Sequence, residues 1–268
     1  MKGIKRRILD LKTVCFLLVI VIGISCDSDN NTVLIVKDFS IGIDKSGNLT
    51  SLRNEKNNRE YLATGVNSPL LTLVLIDSTK ILPQKMVKDT NKGIFTLYYE
   101  GEINVDLTYR EKESYLKFEV VDGQNIDNVA GIIWGAYHTT IDETIGELVG
   151  VVRDSEFAIG IQALNHQTTG GVPVTNAGFV PSRKGPAFKT DHGSALQAFA
   201  INRSLKRSAD VWEGHYKDMP IPSIQESTII GSKIAIFGCR PEEVLPTIGG
   251  LEIEEGLPHP TIDGEWVK

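Results

Sequence analysis

The nine residues 210–218 hold the densest group of chemistry-bearing side chains in this sequence. They contain two aromatic rings, three carboxylates and one histidine, in the order Asp210, Val211, Trp212, Glu213, Gly214, His215, Tyr216, Lys217 and Asp218. Ligand sites combine aromatic faces with a few placed polar groups, and sugars suit such a set because their C–H faces stack on rings. We interpret Trp212 as a sugar platform, with Glu213 or His215 as its hydrogen-bonding partner. The alternative is a loop that docks on a neighbouring domain.

A second group, Trp134, Tyr137 and His138, lies on a run predicted to be a strand. On a strand, Trp134 and His138 share one face and Tyr137 points to the other. An aromatic ring beside an imidazole also suits sugar binding, so Trp134 and His138 are candidate sugar ligands. The alternative is that Trp134 belongs to the core. His192 is a further candidate because it follows Asp191, although adjacent residues on a strand point apart.

No catalytic residue is assigned by a motif. The sequence has no Gly-rich phosphate loop, no His-Glu-x-x-His pair, no Gly-x-Ser-x-Gly elbow and no EF-hand acid ladder. Glycoside hydrolysis needs two carboxylates roughly 5–10 Å apart, a separation that sequence spacing does not measure. A stand-alone mutarotase or epimerase would use His138, His192 and Glu213 for proton transfer at the sugar ring. A polysaccharide lyase would use Tyr137 as its base and Arg153 to neutralise charge.

Composition and charge limit the classes of partner. A net charge of -6 with no basic stripe argues against nucleic acid as a partner. No zinc-ligand spacing and no cofactor motif are present, so neither a metal site nor a cofactor is predicted, and a structural calcium ion is left open. The hydrophobic share of 41% is that of an ordinary folded domain.

The elements that must position these side chains are predicted to be strands, because the hydrophobic period is two along most of the chain. Alternating or continuously apolar runs cover residues 39–43, 70–76, 103–110, 116–120, 157–163 and 233–237. Turn signals recur about every ten residues, which favours an antiparallel β-sandwich or barrel. One helix is predicted to start at Pro241, and Pro246 is expected to limit it to a turn or two. Residues 168–219 are predicted to be a long irregular region that carries functional loops.

The N-terminus has the pattern of an export signal. Basic residues precede an apolar run over residues 14–24, which is shorter than the roughly 20 residues that span a bilayer. The apolar run is followed closely by Cys26, and the small residues before this cysteine are typical of a lipobox. Gly23 stands three residues before Cys26, a position where Leu is usual. We predict a lipoprotein signal peptide at residues 1–25, lipid on Cys26 and a polar tether at 26–32. The alternative is plain secretion. Cys239 is then left without a disulfide partner.

Residues 146–154, 159–165 and 222–239 resemble segments of large lipoproteins from glycan-utilising Bacteroidetes-type bacteria. Those proteins are similar to α-galactosidase-like glycoside hydrolases, in which a galactose-mutarotase-like β-supersandwich precedes a (β/α)₈ catalytic barrel. The resemblance implies a β-supersandwich at residues 33–255 and a linker-like tail at 256–268. No strand–helix alternation follows in this sequence, so no catalytic acid of the barrel can be carried over.

The resemblance and the N-terminal pattern together set the functional expectation. The chain is expected to be an all-β, carbohydrate-associated module that is exported and lipid-anchored to the outer membrane. Its expected partners are an oligo- or polysaccharide and a catalytic barrel domain or neighbouring glycan-utilisation proteins. We expect it to be non-catalytic by itself. The mutarotase, epimerase and lyase alternatives stay open.

Overall fold

The computed structural model describes residues 31–175, 179–212, 214–258, 261–262 and 265–266. The predicted signal peptide, Cys26 and most of the polar tether lie outside the described residues. So do Glu213 and residues 259–260, 263–264 and 267–268 of the predicted 256–268 tail. Residues 31–258 hold the strands and the helix that position the candidate site.

Antiparallel strands dominate the described part of the chain. In chain order they are β1 (Thr32–Val36), β2 (Phe39–Ile43), β3 (Leu49–Asn54), β4 (Arg59–Glu60), β5 (Thr72–Leu75), β6 (Lys80–Ile81), β7 (Lys85–Asp89), β8 (Ile94–Tyr98), β9 (Asn104–Glu111), β10 (Leu116–Gln124), β11 (Val129–Thr139), β12 (Thr144–Gly146), β13 (Val151–Arg153), β14 (Ala158–Ala163), β15 (Thr168–Gly170), β16 (Pro173–Val174), β17 (Val180–Pro181), β18 (Ala187–Thr190), β19 (Gly193–Ile201), β20 (Arg207–Val211), β21 (Tyr216–Ile221), β22 (Lys233–Cys239), β23 (Thr261–Ile262) and β24 (Glu265–Trp266). The helices are two 3₁₀ turns, Glu100–Glu102 and Pro241–Glu243, and one α-helix, α1 (Val244–Glu254).

Three larger sheets and three hairpins result from these strands. The four-stranded sheet has the order β1-β2-β3-β4, and the eight-stranded sheet has the order β12-β13-β14-β22-β10-β9-β8-β7. The six-stranded sheet has the order β15-β19-β11-β5-β6, and β18 also pairs with β19. The two-stranded hairpins are β16-β17, β20-β21 and β23-β24. The strands predicted at residues 103–110 and 116–120 are confirmed as β9 and β10, which pair antiparallel with Lys117 opposite Arg110.

One large core joins the three sheets into a sandwich. Phe39 of the four-stranded sheet, Phe118 of the eight-stranded sheet and Ile132 of the six-stranded sheet all belong to it. A second apolar cluster lies on the other side of the six-stranded sheet, where Ile133 and Phe199 pack with Phe179. The middle strands of this sheet are therefore buried on both faces, which is why their sequences are almost continuously apolar. The all-β prediction is confirmed.

The C-terminal helix is longer than the position of Pro246 predicted. The helix α1 has eleven residues, so the expectation of a turn or two was wrong. Pro246 is the third residue of α1, inside the first turn, where a backbone N–H has no partner within the helix, so proline removes no hydrogen bond there. The helix packs through Val244 and Leu251 on a cluster that includes Phe237. Within the described residues, no helix combines the length and the apolar character needed to cross a bilayer.

Residues 168–219 also differ from the expectation of a long irregular region. They include β19, a nine-residue strand that is buried along almost its whole length. It pairs with β11 on one side and with β15 and β18 on the other. Ala195, Ala198 and Ala200 gave a weak strand signal in the sequence, because alanine has low β-propensity and packing between two apolar layers decides the outcome.

Strands β14 and β22 approach each other closely at Gly160, which has no side chain. We expect the substitution Gly160→Ala to lower the free energy of unfolding by about 1–3 kcal/mol. Gly160 lies directly opposite Phe237 in the ladder. A Cβ at position 160 would fall inside the van der Waals radius of the Phe237 ring atoms. Urea unfolding measures the change. Gly250→Ala is the matched control, because a Cβ at Gly250 in α1 meets nothing within 4 Å. Equal stability of Gly160→Ala and wild type would contradict this packing.

Candidate functional site

Trp212 and Tyr216 form an exposed aromatic pair at the tip of the β20–β21 hairpin. Val211 and Tyr216 are the last paired residues of the two strands. The turn closes when the His215 backbone N–H donates to the Trp212 carbonyl oxygen at 3.1 Å. Trp212 and Gly214 both have positive φ, at 54° and 82°, as a tight reversal of the chain requires. The backbone therefore holds the two rings at one end of the hairpin.

This pair, here called the aromatic platform (Trp212 and Tyr216), is open to solvent. Trp212 is 73% exposed and Tyr216 is 51% exposed. Their ring centroids are 5.9 Å apart and the planes are inclined by 33°. Large aromatic side chains normally bury most of their surface. Two neighbouring rings that stay exposed form a surface on which a flat, partly apolar ligand can stack.

Polar residues precede and follow the aromatic platform within the same hairpin. His215 and Lys217 are exposed. The Asp210 carboxylate accepts a hydrogen bond from the Asp218 backbone N–H at 3.0 Å, which ties the two strands together near the tip. Trp212 and His215, both predicted as sugar ligands, thus lie in the same hairpin turn beside Tyr216. Glu213, predicted as a hydrogen-bonding partner, lies outside the described residues.

Trp134, in contrast, belongs to the core, which corrects its assignment as a sugar ligand. The side chain has no exposed surface. Its Nε1–H donates to the Ser232 Oγ at 2.9 Å, and Ser232 Oγ lies 2.9 Å from Thr168 Oγ1. This buried network links the six-stranded sheet to the segment that enters β22. A ring enclosed in this way presents no face on which a sugar could stack.

His138 and His192 are brought together by the fold, with ring centroids 6.3 Å apart and nearly perpendicular planes. His192 is exposed and lies in the two-residue turn between β18 and β19, not on a strand as assumed from the sequence. His138 lies on β11, beside β19. Its Nδ1 is buried and has no hydrogen-bond partner in the described part of the chain. Burial lowers the pKa of His138, and the charge of His192 lowers it further.

This histidine pair lacks the acid that proton-transfer chemistry on a sugar needs. Among the described residues, no carboxylate forms an ion pair or hydrogen bond with His138 or His192. The backbone around His138 is fixed, since its N–H donates to Ser68 Oγ at 3.0 Å and its carbonyl accepts from the Ala63 N–H at 3.0 Å. The backbone of His138 is thus fixed, but the pair is incomplete as an acid–base site.

Tyr137, the base in the lyase alternative, is buried. Its hydroxyl donates to the Leu70 carbonyl at 2.8 Å. Burial raises its pKa well above the ordinary value. Arg153 is exposed on β13 in the eight-stranded sheet, whereas Tyr137 is on β11 in the six-stranded sheet. The two residues therefore do not meet as a catalytic pair.

The described ranges hold neither a group of side chains that could bind a metal ion nor a reactive thiol. No group of three or more His, Cys, Asp or Glu side chains there could hold a metal ion. Cys239 is a free, buried thiol, and burial raises its pKa to about 11. A thiol with this pKa is protonated at neutral pH and unreactive as a nucleophile.

A cavity that the sequence reasoning missed lies beside the start of β20. It is lined in part by Lys206 and Arg207, and its volume is about 240 Å³. The feature of the sequence that could have indicated this cavity is the cluster of cations at Arg203, Lys206 and Arg207. It places three positive charges within five residues of an acidic chain.

No protein-family model matches this chain, and no curated protein matches it. The resemblance of residues 146–154, 159–165 and 222–239 to α-galactosidase-like lipoproteins accordingly stays an expectation.

Proposed function

We propose that this chain is a carbohydrate-binding β-sandwich module, associated with glycan degradation and non-catalytic by itself. The observation that carries the proposal is the aromatic platform, two neighbouring rings that remain exposed at a hairpin tip. Sugars bind such surfaces because ring stacking removes apolar C–H faces from water, while nearby polar groups bond the hydroxyls. Asp210, His215 and Lys217 lie around the platform and can supply those bonds.

The cellular setting is part of the same proposal. Export and lipid attachment at Cys26 are supported by the N-terminal basic and apolar pattern. The resemblance to glycoside hydrolase lipoproteins supports a catalytic barrel or neighbouring glycan-utilisation proteins as partners. Anchoring a binding module at the outer membrane would keep a polysaccharide near the enzymes that cleave it, because tethering raises the effective concentration of the two components.

We expect the substitution Trp212→Ala to weaken glycan binding by about 2 kcal/mol, roughly thirtyfold, because it removes the larger ring of the platform. A glycan array identifies the ligand, and calorimetry on the purified chain measures its affinity. Trp212→Phe keeps a ring and should retain most of the affinity. Tyr98→Ala is the control, because Tyr98 is a partly exposed aromatic residue on a different sheet. Its affinity should equal that of wild type.

Two results would contradict this proposal. A folded protein that binds no glycan would not be a carbohydrate-binding module. Unchanged affinity in Trp212→Ala would remove the aromatic platform from the binding site. The mutarotase-like alternative is favoured by one observation, the unpaired buried Nδ1 of His138 beside His192. Faster exchange of sugar anomers with the purified chain, lost in His192→Ala, would replace the binding proposal by that enzyme function.

A further inference from the structure

The cavity beside β20, here called the cationic cavity, has walls from three parts of the chain. The turn between β5 and β6 forms one wall, the segment that leads into β20 forms the second, and Phe179 contributes to the third. Its volume is about 240 Å³. The lining residues that matter below are Ile76, Ser78, Phe179, Lys206, Arg207 and Ser208.

The segment that leads into β20 is held by hydrogen bonds to the start of β11, in the six-stranded sheet, and to Ser227. The Asn202 side chain is buried and donates through Nδ2 to the Val129 carbonyl at 2.9 Å. The next backbone N–H, of Arg203, donates to the Ser227 carbonyl at 2.7 Å. Ser204 Oγ donates to Asn202 Oδ1 at 2.6 Å. The chain therefore enters β20 in a defined position, and the cavity wall is preorganised.

The positive charges at this wall are not neutralised within the described part of the chain. Arg203, Lys206 and Arg207 form no ion pair with a carboxylate there. The Nε of Arg207 is buried and has no hydrogen-bond partner. Burial lowers the pKa of Arg207, and the charge of Arg203 lowers it further. A buried unpaired donor and neighbouring like charges both cost free energy, which a bound anion would offset.

The rest of the lining favours a carboxylate among the possible anions. A guanidinium group matches both carboxylates and phosphates. Ile76 and Phe179 are apolar, and a doubly charged phosphate loses more hydration than a singly charged carboxylate beside such walls. The sequence also has no Gly-rich loop to cradle a phosphate. The volume is below the roughly 300–1,000 Å³ of sites for drug-sized ligands, so the bound group is small.

We propose that the cationic cavity binds the carboxylate of a small ligand through Arg207 and Lys206, while an apolar face of that ligand packs on Phe179 and Ile76. This site goes beyond the proposed function, because it does not use the aromatic platform. Arg207 begins β20 and Trp212 follows its last residue, so the two are five residues apart, at most about 17 Å at the usual rise of a strand. The carboxylate could belong to an acidic sugar or to a free organic acid. Both share the chemistry that the cavity recognises.

Calorimetry at low ionic strength tests the proposal and distinguishes the two sources. The probes are glucuronate, neutral glucose, benzoate and inorganic sulfate. In the Trp212→Ala variant, which lacks the larger ring of the aromatic platform, we expect glucuronate or benzoate to bind and glucose not to bind, with an affinity that falls as salt is raised. The stronger of the two carboxylates identifies the source. Arg207→Gln should weaken this binding about tenfold or more, because a hydrogen bond to a charged group is lost.

Control variants keep the result interpretable. Arg153→Gln removes the same charge on a different sheet and should bind as wild type does. Lys206→Gln alters an exposed side chain, so it should fold normally and still weaken binding. Trp212→Ala should leave carboxylate binding intact, which separates this site from the aromatic platform. Equal affinity in Arg207→Gln, in Lys206→Gln and in wild type would overturn the proposal, as would tighter binding of sulfate than of either carboxylate, or no binding of any anion.

Discussion

Replacing Trp134 with alanine is expected to lower the free energy of unfolding by about 3–5 kcal/mol. The side chain is fully buried in the core that joins the sheets, so its removal leaves a cavity that the surrounding strands cannot fill. It also removes the donor to Ser232 Oγ. Chemical denaturation with urea, monitored by far-UV circular dichroism, measures the effect.

Two companion variants separate the contributions to this loss. Trp134→Phe keeps most of the apolar volume but removes the Nε1–H, and we expect a smaller loss of about 1–3 kcal/mol. Trp212→Ala makes the same chemical change at the exposed hairpin tip and should alter stability by no more than about 0.5 kcal/mol. If Trp134→Ala were as stable as wild type and had lost glycan binding, Trp134 would be a ligand residue after all.

The second large effect is expected from Lys117→Met, which should cost about 3 kcal/mol at neutral pH. Lys117 Nζ lies 2.5 Å from a Glu255 carboxylate oxygen, and the Tyr115 hydroxyl donates to the same carboxylate at 2.7 Å. The Glu255 side chain is only 7% exposed. Without Lys117 a largely buried carboxylate would lose its counter-charge. Because Glu255 follows directly after α1, the pair also fastens the end of the helix to β10.

Lys112→Met is the matched control for this prediction. Lys112 pairs with the neighbouring Glu254 at 2.8 Å, but both side chains are about a third or more exposed. Solvent-exposed ion pairs contribute about 0–1 kcal/mol, so this variant should change stability little. An equal loss in the two variants would contradict the importance of burial at Glu255.

The contribution of Lys117 should also depend on pH. Burial raises the pKa of Glu255, but hydrogen bonds from Lys117 and Tyr115 and the positive charges nearby outweigh it, so the net pKa is lowered. A carboxyl group with a lowered folded-state pKa stabilises the protein above its unfolded pKa of about 4.3, and this stability is lost as the pH falls through the folded pKa. The difference between wild type and Lys117→Met should therefore shrink between pH 7 and pH 3. A constant difference would exclude Glu255 as the cause.

The two proposed sites depend on different parts of the fold. The aromatic platform depends on a single hairpin, whose turn and last strand pair set the positions of Trp212 and Tyr216. The cationic cavity depends on contacts between segments far apart in sequence, from the β5–β6 turn to β20. Damage to the sandwich core should therefore affect the cavity more than the platform.

The sequence by itself determined the fold class and seven of the twenty-four strands in the described residues. The period of two requires that alternate side chains face one side, and β9, β10, β14 and β22 all appear where that period was found. Pro241 marked the start of the C-terminal helical segment, because proline suits a first helical position. The sequence also indicated Trp212 as a candidate ligand residue, because a run with charged and flexible residues is typical of a surface loop.

Only the tertiary structure decided which aromatic residues are buried and which charged residues meet. Trp134 and Trp212 each have a histidine close by in the sequence, His138 and His215, but strand β11 is covered on both faces and the hairpin is not. The histidine pair likewise joins residues 54 apart in the chain, and the cationic cavity joins the turn between β5 and β6 to the segment that leads into β20. Period and propensity describe neighbours along the chain, whereas burial depends on which sheet packs on which face, a long-range contact that no local pattern contains.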